Sequence, residues 1–428
     1  MSARLKIAID ARITPGKSGG VGQALVSLVE GLGSLTDGEE VYDVVVRSAE
    51  QAEWWRPYMA ANQRVVVMPS ERQKKSLSVR LRAKVSNLVI GKPEPRRSVW
   101  PEVPVSNGFY ESLGAHVIHF MNQMAFTVCA LPTIYNPHDL QHLHLPEFFR
   151  PSEIAKRETL YQAGCHFART VVVGAQWIKD DVVTKYQLDE TKVQVIPEHP
   201  RMQHARPVAN EKLRSVLHKH ELNQPFVIYP AVTWEHKNHL RLLEALALLR
   251  DREGLRIKLV CTGATFSFWP QIEARVAQLN LGSQVKFLGY VSDEDLSALY
   301  QLAQFMIMPT LFEASSLPIF EAWAAGTPVG CSTVTALPDQ VLDAALLFDP
   351  YDVESIAEAL TQLNRSAELR SRLRELGYRR LADFDATRTA KTYRAVYRRA
   401  ARRSLGDEER RLLSWDWMRN PERRMEVA

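Results

Sequence analysis

The stretch LFEASSLPIFEAWAAGTPVG, residues 311–330, decides how the rest of the chain is read. The apolar run Phe305–Met308 ahead of it is strand-like, Thr310 to Ser316 form a polar turn, and Pro318 falls in a first helical turn, where its missing N–H costs little. Gly326 and Pro328 then stop the helix. A strand, a turn and a short helix in this order place Glu313 and Glu321, with seven residues between them, at a helix entrance that faces a ligand. Backbone N–H groups at Ser315, Ser316 and Leu317 are expected to point outward without partners, and a helix start of this kind attracts phosphate through its free donors and its dipole. On these residues alone, two solvated charges beside an ordinary strand–helix joint remain an alternative.

The same alternation of strand-like runs and helical patterns extends over the whole chain. Leu5–Ile9, Val41–Val46, Arg64–Met68, Val117–Phe120, Thr133–Asn136, Thr170–Val173 and Gln194–Ile196 read as strands of a first unit. After a polar stretch, Glu198–Asn210, the pattern restarts with Phe226–Tyr229, Ile257–Thr262, Val285–Phe287, Phe305–Met308 and Val329–Cys331. Alternation of this sort predicts parallel sheets covered on both faces. With 428 residues, 46% hydrophobic and 24% charged, the chain is too long for one core, so two doubly wound α/β domains are expected, 1–205 and 206–390, with a helical tail, 391–428. The active site then lies between the carboxyl ends of the two sheets.

Composition narrows the function classes. No window offers about twenty uninterrupted apolar residues, and the N-terminus enters a strand without the features of a signal peptide, so a cytoplasmic location is expected. Cys129, Cys165, Cys261 and Cys331 are scattered, without metal spacing or a disulfide framework. Between Glu71 and Arg97, nine Lys or Arg face two Glu, and Leu77, Leu81, Val85 and Leu88 recur at helical spacing. Residues 74–90 thus read either as a basic amphipathic helix on an anionic membrane surface, or as a solvated helix. Arg398, Arg399, Arg402 and Arg403 form a second basic cluster. No aromatic-interleaved platform or nucleic-acid module accompanies these charges, and nucleic acid is not expected as a partner.

Three further places carry candidate chemistry. After the strand LKIAID comes ARITPGKSGGVGQALVSLVEGL, in which Gly19, Gly20 and Gly22 allow close approach to phosphate. It is neither a dinucleotide fingerprint, because Leu25 stands at the third glycine, nor a P-loop, because Ala11 stands at the first and Pro15 removes a donor. A surface turn is the plain alternative. The strand LPTIYNP runs into HDLQHLHLPEF, which sets His138 and Asp139 at a carboxyl end of the first sheet. A zinc site from His138, His142, His144 and Glu147 is disfavoured, since no helical period serves all three histidines. In the second unit PFVIYPA leads to VTWEHKNHLRLLEAL, with Lys237 just before a helix, where a cation would meet a diphosphate.

These features together resemble the retaining family-four glycosyltransferases of GT-B fold, over most of the chain. The resemblance rests on the two glutamates, the AGTPV turn and the segment ALPDQVLDAALLFDPYDVESIAEAL. It implies that Glu321 holds the nucleotide ribose, that Glu313 faces the transferred sugar, and that the loop with Gly20 and Gly22 faces the donor diphosphate and the acceptor, beside Asp10 and Arg12. His138 takes the place of the family's acceptor-side histidine, and Lys237 with Ser315, Ser316 and Leu317 would hold the leaving diphosphate. It implies too that the last helices cross back to the first domain.

Two departures stand out. The family pairs this lysine with an arginine six residues upstream, where this chain has Ala231, and many members show E-G-F-G-L-P where this chain has Glu313, Ala314, Ser315, Ser316, Leu317 and Pro318. Residues with a Cβ resist positive φ, so a turn of different shape is expected, with two hydroxyls gained. The expected activity is metal-independent retaining transfer of a hexosyl group, with mannosyl favoured, from a nucleotide diphosphate sugar such as GDP-mannose to a glycan or lipid-linked hydroxyl acceptor in surface polysaccharide or glycolipid synthesis. The rivals are a hydrolase using the two glutamates, a nucleotide-sugar epimerase, and a non-catalytic nucleotide-sugar-binding scaffold at a membrane surface.

Overall fold

The computed structural model describes residues 4–14, 19–69, 103–199, 208–415 and 418–419. The basic stretch 74–90 and residues 15–18 of the glycine-rich segment lie outside the described residues.

The first sheet contains β1 (Lys6–Asp10), β2 (Val41–Val46), β3 (Gln63–Val67), β4 (Val117–Phe120), β5 (Thr133–Tyr135), β6 (Thr170–Val173) and β7 (Val193–Val195). The second contains β8 (Phe226–Pro230), β9 (Lys258–Thr262), β10 (Val285–Phe287), β11 (Phe305–Met308), β12 (Val329–Ser332) and β13 (Leu346–Phe348). All pairings between these strands are parallel, in the orders β3-β2-β1-β4-β5-β6-β7 and β10-β9-β8-β11-β12-β13. Strands β4, β6 and β11 are buried at every position, which is why none of them shows the alternation of a half-exposed strand, and β11 reads as an unbroken apolar run. β13 was not legible as a strand: it is three residues long, lies at the sheet edge and has only one fully buried member.

Strand order reverses between β1 and β4 in the first sheet and between β8 and β11 in the second. At such switch points the adjoining loops diverge and leave a crevice at the strand ends. Arg12 follows β1, His138 follows β5, Lys237 follows β8 and Glu313 follows β11, so four expected site residues leave the sheets at their carboxyl ends.

Helix Ala367–Leu381 packs on the second unit, and the next helix, Ala386–Ala400, lies on the first, against helix Gly19–Ser34. Arg394 donates to Asp37 (Nη2–Oδ2 3.2 Å), and Arg398 bridges Glu40 (2.6 Å) and Glu409 (2.7 Å). Arg398 is therefore an ion-paired anchor and not part of a free basic surface. Beneath these pairs the Tyr397 hydroxyl meets His119 Nδ1 at 2.8 Å, and His119 Nε2 meets Asn136 Oδ1 at 2.8 Å, while Asn136 Nδ2 donates to the Tyr393 hydroxyl at 3.0 Å. The chain then returns: Met418 is fully buried in the core that spans the second sheet, and Arg419 pairs with Asp339 at 2.9 Å.

His119 is fully buried, and burial pushes its pKa down to about 4 against the opposing pull of the Asn136 hydrogen bond. Its unfolded counterpart titrates near pH 6.5, so the unfolded chain takes the proton first as pH falls. The stabilisation is complete above pH 6.5 and declines toward pH 4, at up to about 1.4 kcal/mol per pH unit. Thermal unfolding midpoints are expected to drop between pH 6.5 and 4.5, with a shallower slope in His119→Gln. An identical slope in the variant would show that this histidine does not carry the effect.

Candidate active site

The site is built around the turn between β11 and helix Leu317–Ala324. Lys237 Nζ forms an ion pair with Glu313 Oε1, and the two side chains are only 17% and 14% exposed. The partners arrive from opposite sides of the switch point, so one charge neutralises the other where neither could be left unpaired cheaply. Both backbones are fixed. Tyr229 donates its hydroxyl to Lys237 O at 2.6 Å, and Asn238, in a left-handed conformation (φ 60°), donates to Pro309 O and Pro350 O at 2.8 Å each. Glu313 N–H donates to the Thr335 hydroxyl at 3.1 Å, and that hydroxyl donates to Glu313 O at 2.5 Å.

Lys237 is flanked by two neutral histidines. Burial, aided by the lysine's charge, pushes His236 down to about 2 and His239 down to about 3. A second cation therefore does not arise from either histidine at neutral pH.

The helix start differs from expectation at one residue. Ser316 N–H does not point outward: it donates to Gln340 Oε1 at 2.8 Å, while Gln340 Nε2 donates to Ser316 O at 2.8 Å. The Ser316 hydroxyl is turned onto Met308 Sδ at 3.3 Å, and Ser316 is 1% exposed, so this hydroxyl is not presented as a phosphate donor. The Ser315 hydroxyl, by contrast, is buried without a partner among the described residues. Leu317 is the first residue of the helix. Glu321, one turn further on, accepts from the Tyr300 hydroxyl at 2.9 Å. Gln340 is in turn gripped through its backbone: Arg380, 3% exposed, donates from Nε to Gln340 O (2.8 Å) and from Nη2 to Asp339 O (2.8 Å) and Met418 O.

On the first unit, the expected residues have partners close by. Arg12 Nε donates to the buried Asp10 carboxylate at 2.7 Å, which also accepts from the Tyr110 hydroxyl at 2.5 Å. Asp139 caps the short helix Gln141–His144, accepting from Gln141 N–H at 2.9 Å. His138 has φ 62° and its Nε2 meets Met121 O at 2.7 Å, with Glu198 3.7 Å from Nδ1. Burial disfavours its cation, but Glu198 and the Met121 carbonyl outweigh burial and hold the pKa above the usual histidine value. Gly20 and Gly22 are not in a loop: they belong to the first turn of helix Gly19–Ser34, with Gly19 at φ 52°. The other two histidines go elsewhere, His142 to Glu158 (2.6 Å) and His144 to Asp181 (2.9 Å).

One contact joins the two units at this turn. The ring of Phe312, next to Glu313 and 3% exposed, lies 5.6 Å from His144 and 5.9 Å from Trp177, with Leu145 and Leu311 completing the cluster. Gln340, Thr335, Tyr300 and Phe312 were not singled out from sequence. Gln340, in the mixed segment ALPDQV beside Asp339, carried no distinguishing signal either; its burial appears only in the structure.

Several known proteins are similar to this chain. Residues 212–380 match the family model described as glycosyl transferases group 1. O-antigen chain mannosyltransferase B of Escherichia coli is 26% identical over 273 residues, covering 63% of this chain and 68% of that protein. MMP alpha-(1->4)-mannosyltransferase of Mycolicibacterium hassiacum is 34% identical over 170 residues, covering 38% of this chain and 40% of that protein. The crystal structure of Anabaena Alr3699/HepE in complex with UDP-glucose has a similar fold, with a TM-score of 0.65 at 16% identity, over 92% of this chain and 99% of that one.

Replacing Gln340 by Ala would strand a buried donor and a buried acceptor at the helix start. Gln340→Ala is expected to cost about 2–4 kcal/mol of stability, since each unpaired buried group costs about 1–3 kcal/mol. Denaturant unfolding of the variant measures this, and a loss below about 0.5 kcal/mol would mean that the turn does not depend on the clamp.

Proposed function

For a chain whose residues 212–380 form a glycosyl transferases group 1 domain on a GT-B scaffold, we propose retaining transfer of a mannosyl group from GDP-mannose to a hydroxyl of a glycan or lipid-linked acceptor. The observation that carries this reading is the Lys237–Glu313 pair at the entrance of helix Leu317–Ala324, with Glu321 one turn along. The mannosyl donor is supported by the relatives, two of which are mannosyltransferases by name.

In the proposed reaction the bond between the anomeric carbon and the diphosphate oxygen breaks, and its electron pair leaves with the diphosphate. The acceptor oxygen bonds the anomeric carbon on the same face, and its proton passes to the departing phosphate oxygen. Lys237 stabilises the negative charge that grows there, together with the helix dipole, which is worth most where it acts on the transition state. Until a donor binds, Glu313 neutralises the lysine; with the diphosphate in place, the Glu313 carboxylate is free to accept from sugar hydroxyls. Glu321, oriented by Tyr300, accepts from the ribose hydroxyls. His138 and the first turn of helix Gly19–Ser34, with Gly20 and Gly22, position donor and acceptor, with Arg12 and Asp139 shaping the acceptor side.

Because Lys237 and the helix start supply the electrophilic assistance, binding and transfer are expected to survive EDTA. Calorimetry against GDP, UDP, ADP, dTDP and CDP and their common sugars tests the donor; the expected result is selective GDP binding that is insensitive to EDTA. Lys237→Ala should lower kcat by about 10²–10³ with little change in nucleotide affinity. Glu321→Ala should weaken nucleotide binding by about tenfold or more, the scale of a lost hydrogen bond to a charged group. Unchanged kinetics in both variants would remove the assignment. A hydrolase would release mannose without an acceptor, and an epimerase would interconvert sugars without one.

No helix among the described residues is long and apolar enough to cross a membrane. Peripheral association through residues 74–90 belongs to the same proposal. Deleting that segment should abolish sedimentation with anionic vesicles, and unchanged sedimentation would exclude it.

A further inference from the structure

Trp234 and Phe266 stand out because they are large, apolar and 48% and 45% exposed, yet sit beside a polar catalytic centre. Their ring centroids are 5.5 Å apart at an interplanar angle of 44°, and Trp234 also lies 5.6 Å from the buried His236. Exposed aromatic pairs of this kind mark contact sites, since nothing in the fold rewards leaving them in water.

The pair is held rigidly. It is carried by the loops that follow β8 and β9, and these loops are locked together by two hydrogen bonds: Phe266 N–H donates to the Thr233 hydroxyl at 2.6 Å, and Thr233 N–H donates to Ala264 O at 3.2 Å. Gly263, at φ 124°, permits the approach, because a Cβ there would stand 2.6 Å from Ala231 O. A surface fixed in this way loses little entropy on binding.

Its position is set by what lies next to it. Trp234 N–H and Lys237 N–H close the same short turn, through Val232 O and Trp234 O, so the indole is one turn away from the Lys237–Glu313 pair. His236 O accepts from Leu311 N–H at 2.8 Å, and Leu311 and Phe312 pack against Leu145 and Phe148 of the first unit. Glu235 follows Trp234 directly in the chain, and Glu147, adjacent to Phe148 on the other unit, is near enough for its charge to act on Glu235. Desolvation and the charge of Glu147 hold the Glu235 carboxyl above the usual carboxylate range.

We propose that Trp234 and Phe266, with Glu235 next to Trp234 in the chain, form a binding subsite for a neutral pyranose of the acceptor glycan. A pyranose has an apolar C–H face that lies on an aromatic ring and a rim of hydroxyls that donate to carboxylates. The Glu235 carboxylate repels a phosphate, which assigns this surface to the acceptor and leaves the donor to the Lys237 side. The assignment to the acceptor rests on the transferase reading above; the binding of a saccharide does not.

The experiment is ligand-observed NMR of the full chain with α-mannobiose and maltotriose, run beside GDP calorimetry on the same samples. The wild type is expected to bind at least one saccharide, and Trp234→Ala to weaken it by about tenfold or more, a loss of about 1.4 kcal/mol. GDP affinity should stay within about twofold, a change under 0.5 kcal/mol. Trp234→Leu, which keeps an apolar side chain without a ring face, should show the same loss and guards against a folding defect. Absence of saccharide binding to the wild type, or binding unaffected in both Trp234 variants and in Phe266→Ala, would overturn the subsite. A Trp234 variant that loses GDP but not saccharide would overturn it as well, by giving the surface to the donor. Failure of the wild type to bind any nucleotide would instead remove the transferase reading while leaving the saccharide result intact.

Discussion

The arrangement depends on one electrostatic constraint, that two opposite charges from distant parts of the chain must meet in a site too enclosed to hydrate either. Lys237 and Glu313 are 76 residues apart in sequence and both less than one-fifth exposed. Removing either would leave a largely buried charge without its partner, which costs more than the pair itself stabilises. The protein meets this constraint by anchoring both backbones, the lysine through Tyr229 and Asn238 and the glutamate through Thr335, so that the side chains are held together by the fold and not by their own attraction. A pair arranged in this way is a store of charge that a ligand can redistribute without moving the scaffold.

The C-terminal segment is part of that scaffold. Arg380 reaches from the helix Ala367–Leu381 to the carbonyls of Asp339, Gln340 and Met418, and Gln340 clamps the backbone of Ser316. A chain of buried hydrogen bonds thus runs from the tail to the turn that carries Glu313. From the other side, His144 and Trp177 press on Phe312. The turn is consequently held by hydrogen bonds of the second unit and by an aromatic contact from the first, so relative movement of the two units would bear directly on the residue next to Glu313.

Much of the fold was legible because the information is local. Apolar runs such as Phe305–Met308 are strands because both faces of a parallel sheet are covered, and the Pro318 and Gly326 signals bound a helix within two residues of its observed ends. The residues that could not be read are those whose role depends on contacts distant in sequence. Tyr300 meets Glu321 and Thr335 meets Glu313 only after the sheet has formed, and nothing in their own neighbourhoods distinguishes them from any core tyrosine or loop threonine. The glycine-rich segment was misread for a physical reason too. Glycine permits a loop without requiring one, and Gly20 and Gly22 are absorbed into a helix whose later residues, Leu25, Leu28 and Leu32, are buried strongly enough to hold its first turn.

The altered turn explains itself once the backbone is seen. With Cβ-bearing residues between Glu313 and Leu317, a turn that avoids positive φ was expected, and Ala314, Ser315 and Ser316 are indeed absent from the positive-φ positions among the described residues, with Ser316 at φ −112°. The left-handed conformation is instead found across the site at Thr335, φ 50°, the residue whose hydroxyl closes onto both backbone groups of Glu313. Strain of this kind costs about 1–3 kcal/mol and persists where surrounding contacts over-determine it. Here the two hydrogen bonds to Glu313 do so. The turn itself carries no positive φ and so accommodates side chains, and one of these, Ser315, is left with a buried hydroxyl without a partner among the described residues, at the helix start. Ala231 stands where the resemblance led to an arginine being expected, and neither of the histidines beside Lys237, both neutral, supplies a cation in its stead. Of the two hydroxyls in this turn, that of Ser316 is spent on Met308 and only that of Ser315 lacks a partner among the described residues, so the turn adds a single uncommitted hydroxyl beside the carboxylate and the lysine.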